Sequence, residues 1–592
     1  MRSKSMRPAR WKRTSLTVIT MIVSASLAFA GSNKLSKDLL EQSVSNQVDV
    51  IVQYNQVPTA AYHQKVLSRG GALKQNLGQF KGAAYTMSAS ALADLASDPD
   101  VVFISPDRAL YGAGNNKSAA VLDYHTAAIN APAAWTLGLD GTGIGVAVID
   151  SGIAANSDLN SNHVVYSQDF TSLGSAVDQY GHGTHVTGII AGTGSNSTGS
   201  KYTYTFKGIA DNVNLINLRV LDQNGAGTDS EVIAAIQTAI SLKSIYNIRV
   251  INLSLGRPVW ESYKQDPLCQ AVEQAWKSGI VVVVAAGNYG RDNLAGTNGY
   301  GTITAPGNDP YVITVGAMKT LGTATRTDDV IASYSSKGPT LFDQVIKPDL
   351  VAPGNQIISL YTSAETLNQQ NSGNEITKSL YETNNGAASS DTYFVLSGTS
   401  MAAPMVSGAA ALMLQQSPAL TPDQVKARLM KTAFKSLVLY STATDPATGI
   451  TYSGQADIFT VGAGYLDIEA ALANTDLAPT TAGSALSPTA AVDSSGNVVL
   501  VANGSSVLGS NSVLWGTSVL WGTSVLWGTD VSGESVLWGT SLLQGESVLW
   551  GTTADQADSV LWGTSVLWGS SVLWGTSATT GEANSIAITG EN

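Results

Sequence analysis

Cysteine is almost absent from this 592-residue sequence, in which Cys269 is the only one. A single thiol excludes an intramolecular disulfide and any metal site built from several cysteines, so packing or bound ions must stabilise the fold. A lone cysteine is usually a small buried hydrophobic residue, and we expect this of Cys269 rather than a nucleophilic role.

Charge is also scarce: charged residues make up 13% of the chain and hydrophobic residues 44%. This balance is typical of a globular protein and excludes a largely disordered one. The formal net charge is −12, and no Lys or Arg follows Lys435. Such acidity argues against a nucleic-acid partner.

Long apolar runs are missing except near the N-terminus, where residues 16–28 follow a stretch with six basic and no acidic residues. This run falls short of the roughly 20 residues that span a bilayer, which disfavours the alternative of a membrane anchor. It ends at Ala28-Phe29-Ala30, so residues 1–30 are predicted to be a signal peptide. We therefore expect an exported, extracellular protein without a transmembrane segment.

Residues 31–115 show the pattern of a small α+β unit with the order β-α-β-α-β. Apolar runs predict the strands, and Gly70-Gly71 and Ser88 mark the end of one helix and the start of the next. The predicted strands are 48–54, 82–87 and 101–104, with a further one near 77–80, and the predicted helices are 60–69 and 88–95.

Residues 116–475 change to buried strands that alternate with helical stretches. Continuous apolar strands in such an order predict an α/β domain with a parallel sheet covered on both faces. Ligands of such sheets bind at the carboxyl ends of the strands. The strands are predicted at 145–149, 215–220, 250–253, 280–284 and 312–315.

The C-terminal part divides into a predicted linker at 476–510, rich in Ala, Ser, Thr, Gly and Pro, a repeat region at 511–577 and a tail at 578–592. The repeat is Ser-Val-Leu-Trp-Gly-Thr, and its eight copies hold eight of the twelve tryptophans. One interpretation is a self-stacking β array that attaches the protein to a cell surface, and another is a tail that binds an envelope component through Trp. A third is a low-complexity tail without a specific role.

Three residues that could take part in catalysis lie next to predicted buried strands or helices. Asp150 ends a predicted strand, His182 lies among small residues in Gly-His-Gly-Thr-His-Val-Thr-Gly at 181–188, and Ser400 opens an Ala-rich helix. Alone, Asp150 would fit a helix cap or turn residue better than a catalytic one, Ser400 could equally be a helix cap, and a lone histidine is more often structural. Together with Asn288 after another strand, they supply a nucleophile, a base, a group that orients the base and an oxyanion donor, as acyl transfer requires.

The motifs around these residues resemble those of subtilisin-like serine proteases, the subtilases of peptidase family S8. The resemblance covers roughly residues 118–475. It implies a three-layer catalytic domain with a parallel central sheet, preceded by a ferredoxin-like inhibitory propeptide. The matching segments are Val-Ile-Asp-Ser-Gly at 148–152, Gly-His-Gly-Thr-His-Val at 181–186, Ile-Asn-Leu-Ser-Leu-Gly at 251–256, Ala-Ala-Gly-Asn at 285–288 and Gly-Thr-Ser-Met-Ala-Ala-Pro at 398–404.

The resemblance implies that Asp150 orients His182 and that His182 removes the proton of Ser400 as this serine attacks a peptide carbonyl. The Asn288 amide and the backbone N–H of Ser400 would hold the oxyanion, and catalysis would need no cofactor. The partners would be protein or peptide substrates.

The resemblance also implies which residues bind the substrate. The segment Ser254, Leu255 and Gly256 would pair with it, and Ala285, Ala286 and Gly287 would complete the pocket for the residue before the scissile bond. These walls are uncharged, so we expect a preference for apolar or aromatic residues. The floor of this pocket is expected within residues 294–300.

The N-terminal unit matches the family's propeptide, including its closing residues 98–108. It would assist folding, inhibit the enzyme as an intramolecular partner, and be cut away between Leu110 and Ala120.

Two features of the catalytic region leave alternatives open. Asp158 occupies about the place of a calcium ligand in the family, but the other ligands are not recognisable in residues 192–201, so a structural calcium ion stays an open question. Residues 355–393 form a polar insertion longer than in compact members of the family. It would be either a lid or a flexible rim of the cleft.

Three functions are consistent with this organisation. The first is an active secreted protease, and the second is a surface protein whose repeats are released by its own protease domain. The third, a catalytically inactive relative used for binding, is disfavoured because no triad or oxyanion residue is missing.

Overall fold

The computed structural model describes residues 34–40, 47–111, 124–159, 163–294, 296–383, 388–445, 449–492, 498–502 and 506–508. The predicted signal peptide, the Trp repeats and the C-terminal tail lie outside these ranges. No helix within the described ranges is both long and apolar enough to cross a membrane.

The N-terminal unit is a four-stranded antiparallel sheet with the order β2-β3-β1-β4. Its central strand β1 is hydrophobic and buried because the sheet packs on two helices and on the catalytic domain. The elements are α1 (Lys37–Leu40), β1 (Gln47–Tyr54), α2 (Ala60–Leu67), β2 (Ala72–Leu77), β3 (Gly82–Ser88), α3 (Leu92–Ala96), β4 (Val101–Pro106) and β5 (Ala109–Tyr111).

The further strand expected near residues 77–80 is displaced. The strand is β2, Ala72–Leu77, and Gly78–Phe80 is a short 3₁₀ turn. Most side chains of β2 are exposed, so its sequence shows no apolar alternation that would reveal it.

The catalytic domain is built on an eight-stranded sheet with the order β13-β12-β11-β10-β6-β8-β7, in which β14 also pairs with β12. All these pairs are parallel except β12 with β13, so the sheet is mixed and largely parallel. The strands of the sheet are β6 (Gly145–Asp150), β7 (Val164–Asp169), β8 (Asn214–Arg219), β10 (Ile248–Leu253), β11 (Val281–Ala285), β12 (Ile313–Lys319), β13 (Val330–Ile331) and β14 (Leu350–Pro353). The strands outside it are β9 (Ala226–Thr228), β15 (Ile357–Leu360), β16 (Glu375–Thr377) and β17 (Ser389–Leu396).

Two pairs of helices cover the sheet: α6 packs with α10, and α7 packs with α8. The first sixteen residues of α10 are all buried, which explains why this helix is rich in Ala and has no polar face. The helices are α4 (His125–Ala128), α5 (Ala131–Thr136), α6 (His182–Ala191), α7 (Asp229–Tyr246), α8 (Pro267–Lys277), α9 (Thr366–Gln370), α10 (Thr399–Gln416), α11 (Pro422–Thr432) and α12 (Ile468–Ala473).

The insertion at 355–393 is packed against the domain rather than projecting from it. Its strands form the antiparallel sheet β15-β17-β16, and Leu367 and Ile376 are buried beneath it. Tyr381 and Tyr393 contact the ring of Phe206 at centroid distances of 5.5 and 4.7 Å. The described part of this segment is therefore neither a free lid nor a loose rim.

The predicted linker is also packed over much of its length. Ser487 donates through its hydroxyl to Asp349 at 2.6 Å, and the carbonyl of Pro488 accepts from Ile346 at 2.8 Å. The linker interpretation is wrong for these residues, because small residues such as Ser487 fit into a buried polar site. The last elements are β18 (Tyr440–Thr444), β19 (Thr451–Gln455), β20 (Thr489–Val492), β21 (Val498–Ala502) and β22 (Ser506–Leu508).

Candidate active site

Asp150 and His182 are paired at the carboxyl end of the central strand β6. Asp150 is its last residue and is fully buried, and its Oδ1 accepts from the backbone N–H of Ser151 at 2.7 Å. The same oxygen lies 2.8 Å from His182 Nδ1. A carboxylate can only accept here, so Nδ1 carries the proton and Nε2 is left as the basic nitrogen.

Two glycines allow His182 to reach this carboxylate. Gly181 has a φ of 110°, which favours glycine, and it starts the helix α6 at His182. A Cβ atom on Gly183 would lie 2.2 Å from the carbonyl oxygen of Gly152. The first turn of α6 can therefore contact the loop after β6, which a larger side chain would prevent.

The charge around His182 favours its protonated form. Burial alone would lower the pKa of His182, but the negative charge of Asp150, the hydrogen bond to it and the charge of Asp178 raise the pKa above its ordinary value of 6.5. Among the described residues, no hydrogen-bond partner faces Nε2. This nitrogen is buried and free to accept a proton from another group.

Ser400 lies in the first turn of α10, where backbone N–H groups have no partner within the helix. Its Oγ donates to the carbonyl of Ser254 at 2.9 Å, and the hydroxyl of Ser254 donates to the carbonyl of Ser400 at 2.8 Å. Ser254 directly follows β10, the neighbour of β6. Ser400 and Asp150 are thus held at the same edge of the sheet, by adjacent strands that lie about 4.8 Å apart.

Asn288 is fixed at the start of α10 by its amide oxygen. Its Oδ1 accepts from the backbone N–H of Thr399 at 2.9 Å and from the Thr399 hydroxyl at 3.0 Å. Because both contacts come from donors, the side-chain oxygen faces Thr399. The NH₂ group, Nδ2, is then left to donate to another group. A Cβ on Gly398 would lie 3.0 Å from Nδ2, so glycine keeps the space next to this donor open.

The two segments expected to wall a substrate pocket converge on Thr304. A Cβ on Gly256 would lie 2.6 Å from Thr304 Oγ1, and a Cβ on Gly287 would lie 2.6 Å from Thr304 Cγ2. The N–H of Thr304 donates to the carbonyl of Ala286 at 3.0 Å. The structure places Thr304 between these walls, in place of the expected residues 294–300.

Leu294 and Tyr300, at the two ends of the expected pocket floor, have other surroundings. Leu294 is 65% exposed, and the hydroxyl of Tyr300 donates to Asp457 at 2.7 Å. The residues around Thr304 do not mark it as part of a pocket. Thr304 contacts Ala286 only because the chain reverses direction between the two residues.

The end of the N-terminal unit continues onto the catalytic domain. Strand β5 pairs antiparallel with β9, with Leu110 opposite Gly227. Just before it, Asp107 accepts from the N–H and hydroxyl of Ser230 at 2.8 and 2.6 Å, at the start of α7. The cut is expected between Leu110 and Ala120, and residues 112–120 of this stretch lie outside the described part of the chain.

Asp158 does not fit a calcium ligand. One carboxylate oxygen accepts from the Ser195 hydroxyl and the Asn196 N–H, both at 2.6 Å, and the other accepts from the Tyr393 hydroxyl at 2.6 Å. Donors therefore surround a carboxylate that a cation would need to approach. Within the described ranges, no group of three or more His, Cys, Asp or Glu side chains is arranged to hold a metal ion.

Cys269 and His185, the second histidine of the segment 181–186, are both buried and take no part in the contact of Asp150 with His182. Burial raises the pKa of the Cys269 thiol well above its ordinary value, so a reactive thiolate is disfavoured. Burial and the nearby His182 lower the pKa of His185 to about 3, and its Nε2 donates to the carbonyls of Ile357 and Phe394 at 3.2 and 3.1 Å.

Comparison with known proteins agrees with this geometry. Residues 141–464 match the model of the subtilase family, peptidase S8. The chain belongs to the subtilase family, and is a serine-type endopeptidase with a subtilisin-like α/β fold.

Three relatives are similar over different lengths. Serine protease AprX of Bacillus subtilis (strain 168) is 38% identical over 53% of this chain and 66% of its own. Subtilisin E of the same strain is 31% identical over 79% of this chain and 100% of its own. The Extracellular serine proteinase of Thermus sp. (strain Rt41A) is 34% identical over 60% of this chain and 72% of its own.

Proposed function

We propose that this chain is a secreted serine endopeptidase, made as a self-processing zymogen, with Asp150, His182 and Ser400 as its catalytic triad. The observation that supports it most is the 2.8 Å contact of His182 Nδ1 with the buried Asp150, at the sheet edge where α10 presents Ser400. The names of the relatives, among them an extracellular proteinase, agree with this proposal.

In the proposed reaction, His182 Nε2 takes the hydroxyl proton as Ser400 Oγ bonds to the carbonyl carbon of the scissile peptide. The carbonyl oxygen becomes an oxyanion, which the Nδ2 group of Asn288 and the N–H of Ser400 stabilise. The tetrahedral intermediate then breaks its C–N bond, and the imidazolium gives its proton to the leaving amine. Water repeats these steps on the ester and restores Ser400.

The first step requires a change at the nucleophile. The hydroxyl of Ser400 donates to the carbonyl of Ser254, so its O–H bond must turn away from that carbonyl before His182 can accept the proton. A serine hydroxyl hydrogen rotates about the Cβ–Oγ bond to suit its acceptor.

The proposed specificity is for apolar or aromatic residues before the scissile bond. Support comes from walls without charged side chains, formed by residues 254–256 and 285–287, and from the small Thr304 between them. A charged substrate side chain would lose its hydration there without gaining a partner.

The N-terminal unit is proposed to be the inhibitory propeptide. It has its own hydrophobic core, it contacts the catalytic domain through Asp107 and Arg108, and its last described strand adds to β9. Among the described strands, β9 pairs with β5 alone, and backbone pairing of this kind is one way in which extended segments bind a partner. After the cut, this unit would remain as a noncovalent partner until it is released.

The Trp repeats are proposed to associate the enzyme with a cell surface. If the repeat is extended, the alternation of side chains would put Val and Trp on one face and Leu on the other, and Trp favours interfaces with one apolar and one polar side. A chain that ends after residue 510 should keep activity on soluble protein and lose retention by cell envelopes. Equal retention of both chains would remove this part of the proposal.

The central experiment compares residues 31–592 with the same chain carrying Ser400→Ala, by mass determination of fragments and casein digestion. The wild-type chain should lose about 80 residues from its N-terminus, as the expected cut between Leu110 and Ala120 requires, and then digest casein. The variant should do neither. If both chains stay uncut and inert, with and without calcium, the triad does not operate and the surface-protein alternative is favoured.

A further inference from the structure

Two buried carboxyl groups lie beside the first turn of α6, and neither belongs to the triad. Asp178 is 4% exposed and Glu365 is 1% exposed. Asp178 is in the loop that precedes His182, whereas Glu365 is contributed by the insertion at 355–393. Two carboxyl groups buried together cannot both ionise at low cost, which calls for an explanation of their position.

Asp178 holds the loop and the helix together. Its Oδ1 accepts from the N–H groups of Tyr180 and Gly181 at 3.0 and 2.8 Å. Its Oδ2 accepts from the N–H and hydroxyl of Thr184 at 2.8 and 2.6 Å. The residues on both sides of His182 are therefore fixed by this carboxylate.

Glu365 covers the same turn from the outside. A Cβ on Gly181 would lie 2.9 Å from Glu365 Oε2, so the carboxyl group lies directly against the residue before His182. Oε2 accepts from the N–H of Thr362 at 2.9 Å, and Oε1 is buried with no hydrogen-bond partner in the described structure.

The insertion is attached to this loop by its backbone as well. The N–H groups of Thr366 and Leu367, at the start of α9, donate to the carbonyls of Gln179 and Tyr180, both at 2.9 Å. Glu365 is therefore held against the catalytic loop from two directions, by its own side chain and by the residues that follow it.

We propose that Glu365 is a positioning residue for His182: it keeps its proton near the carboxylate of Asp178, and the two groups together hold the loop 178–181 and the first turn of α6. This proposal rests on the proposed function, because His182 must be the general base. The proton on Glu365 allows the two groups to be buried near one another without repulsion, and its loss places two negative charges in a buried site.

The charges around the pair agree with this assignment. Burial and the charge of Asp178 raise the pKa of Glu365 well above its ordinary value of 4.5, and burial also raises the pKa of Asp178. The guanidinium of Arg219, on β8, donates to Gln179 at 3.1 Å and to backbone carbonyls of the same loop. The charged and titratable groups that surround the pair are Asp150, Tyr180, His182 and Arg219. Glu375, on the same insertion, instead accepts from the amide of Asn368 at 3.0 Å.

The first test is the pH profile of kcat/KM for the self-processed enzyme. In the wild type, loss of the proton on Glu365 should displace His182 and give a fall of kcat/KM on the alkaline side. Glu365→Gln keeps the shape and one donor but has no proton to lose, so its alkaline limb should move up by about one pH unit or more. Glu375→Gln, the same change on the same insertion, should keep the wild-type profile.

Glu365→Ala distinguishes positioning from simple packing. Its kcat should fall about tenfold with little change in KM, since a displaced base affects the chemical step more than binding. Glutamine should restore kcat on the neutral part of the profile, where alanine does not. Overlapping profiles of wild type and Glu365→Gln over the whole range would overturn the proposal.

A second measurement does not depend on activity. In the full-length Ser400→Ala chain, a buried carboxyl with a raised pKa stabilises the fold below its ordinary value of 4.5, and this stability is lost as pH rises toward the raised pKa. Glu365→Gln should therefore flatten the fall of Tm in this window. An unchanged slope would contradict the carboxyl pair, and an inert wild type with a flattened slope would contradict only the proposed protease.

Discussion

The guanidinium of Arg108 donates two hydrogen bonds to the carboxylate of Glu261, each 2.6 Å long, between the N-terminal unit and the catalytic domain. Arg108 also contacts Asp38 at 2.9 Å, and its exposed fraction is 7%. A bidentate pair of this kind is stronger and more directional than a surface salt bridge. If the N-terminal unit is cut away as proposed, this pair is the contact that should keep it bound after the cut.

Glu261→Gln should shorten the interval between the cut and the appearance of casein activity. Removal of one partner of a buried ion pair costs about 3–5 kcal/mol, and here the cost falls on the complex of the two units. The interval can be measured by comparing fragment formation with casein digestion in one time course. Arg69→Gln is the control, because its partner Asp94 is exposed and lies within the N-terminal unit. Equal intervals for both variants would exclude the pair as the controlling contact.

The rate of self-cleavage should depend on pH through His182. Only the neutral imidazole can accept the proton of Ser400, and the pKa of His182 is raised above 6.5, so the rate should fall as pH drops through this raised value. Asp150→Asn removes the charge that raises it and should lower the rate by about 10⁴, as in other Ser-His-Asp triads. A rate that is flat across this range would argue against His182 as the base.

Asn288→Ala should slow self-cleavage by about 10²–10³, the typical effect of removing one oxyanion donor. The side chain also accepts from Thr399, so Tm must be measured on the Ser400→Ala background to separate folding from catalysis. A variant that folds and still cuts at the wild-type rate would exclude Asn288 from the oxyanion site.

Thr304→Gly should enlarge the space between the two pocket walls. We expect the ratio of kcat/KM for a Phe substrate to that for an Ala substrate to rise about tenfold, within the usual range for changes in a hydrophobic pocket. Peptide substrates that differ only in the residue before the scissile bond give this ratio directly. Thr302→Ser, two residues away, is the control and should leave the ratio unchanged.

Tyr393→Phe should destabilise the domain by about 1–3 kcal/mol, because Asp158 then loses a buried donor. The loss of Tm should be the same with calcium and with a chelator, since Asp158 is satisfied by hydrogen bonds. If calcium restored Tm in the variant, Asp158 would be a ligand after all.

The triad candidates and Asn288 could be predicted from the sequence because each lies at the end of a strand or the start of a helix, among small residues. Glycines such as Gly181 and Gly398 mark close approaches of the backbone, and such approaches leave a local pattern. The sheet of the catalytic domain could be predicted because its strands are continuous apolar runs.

The residues that were missed depend on contacts between distant parts of the chain. Glu365 lies in a polar stretch and reaches the loop before His182 only because α9 packs there. Thr304 contacts Ala286 through its backbone, and β2 is too exposed to show a strand pattern. In each case contacts with distant residues, rather than the local sequence, determine the position.

The contact of Ser487 with Asp349 determines where this protein can be divided. Asp349 is fully enclosed and also neutralises Lys347 and Lys426, at 2.6 and 3.2 Å. A truncation near residue 475 would remove the Ser487 hydroxyl that donates to Asp349 and would open this carboxylate to water. Sequence composition alone would nevertheless place the end of the catalytic domain near residue 475. Trimming or fusing the chain beyond residue 510 leaves the group intact, so enzymes with exchanged tails should be designed from that position.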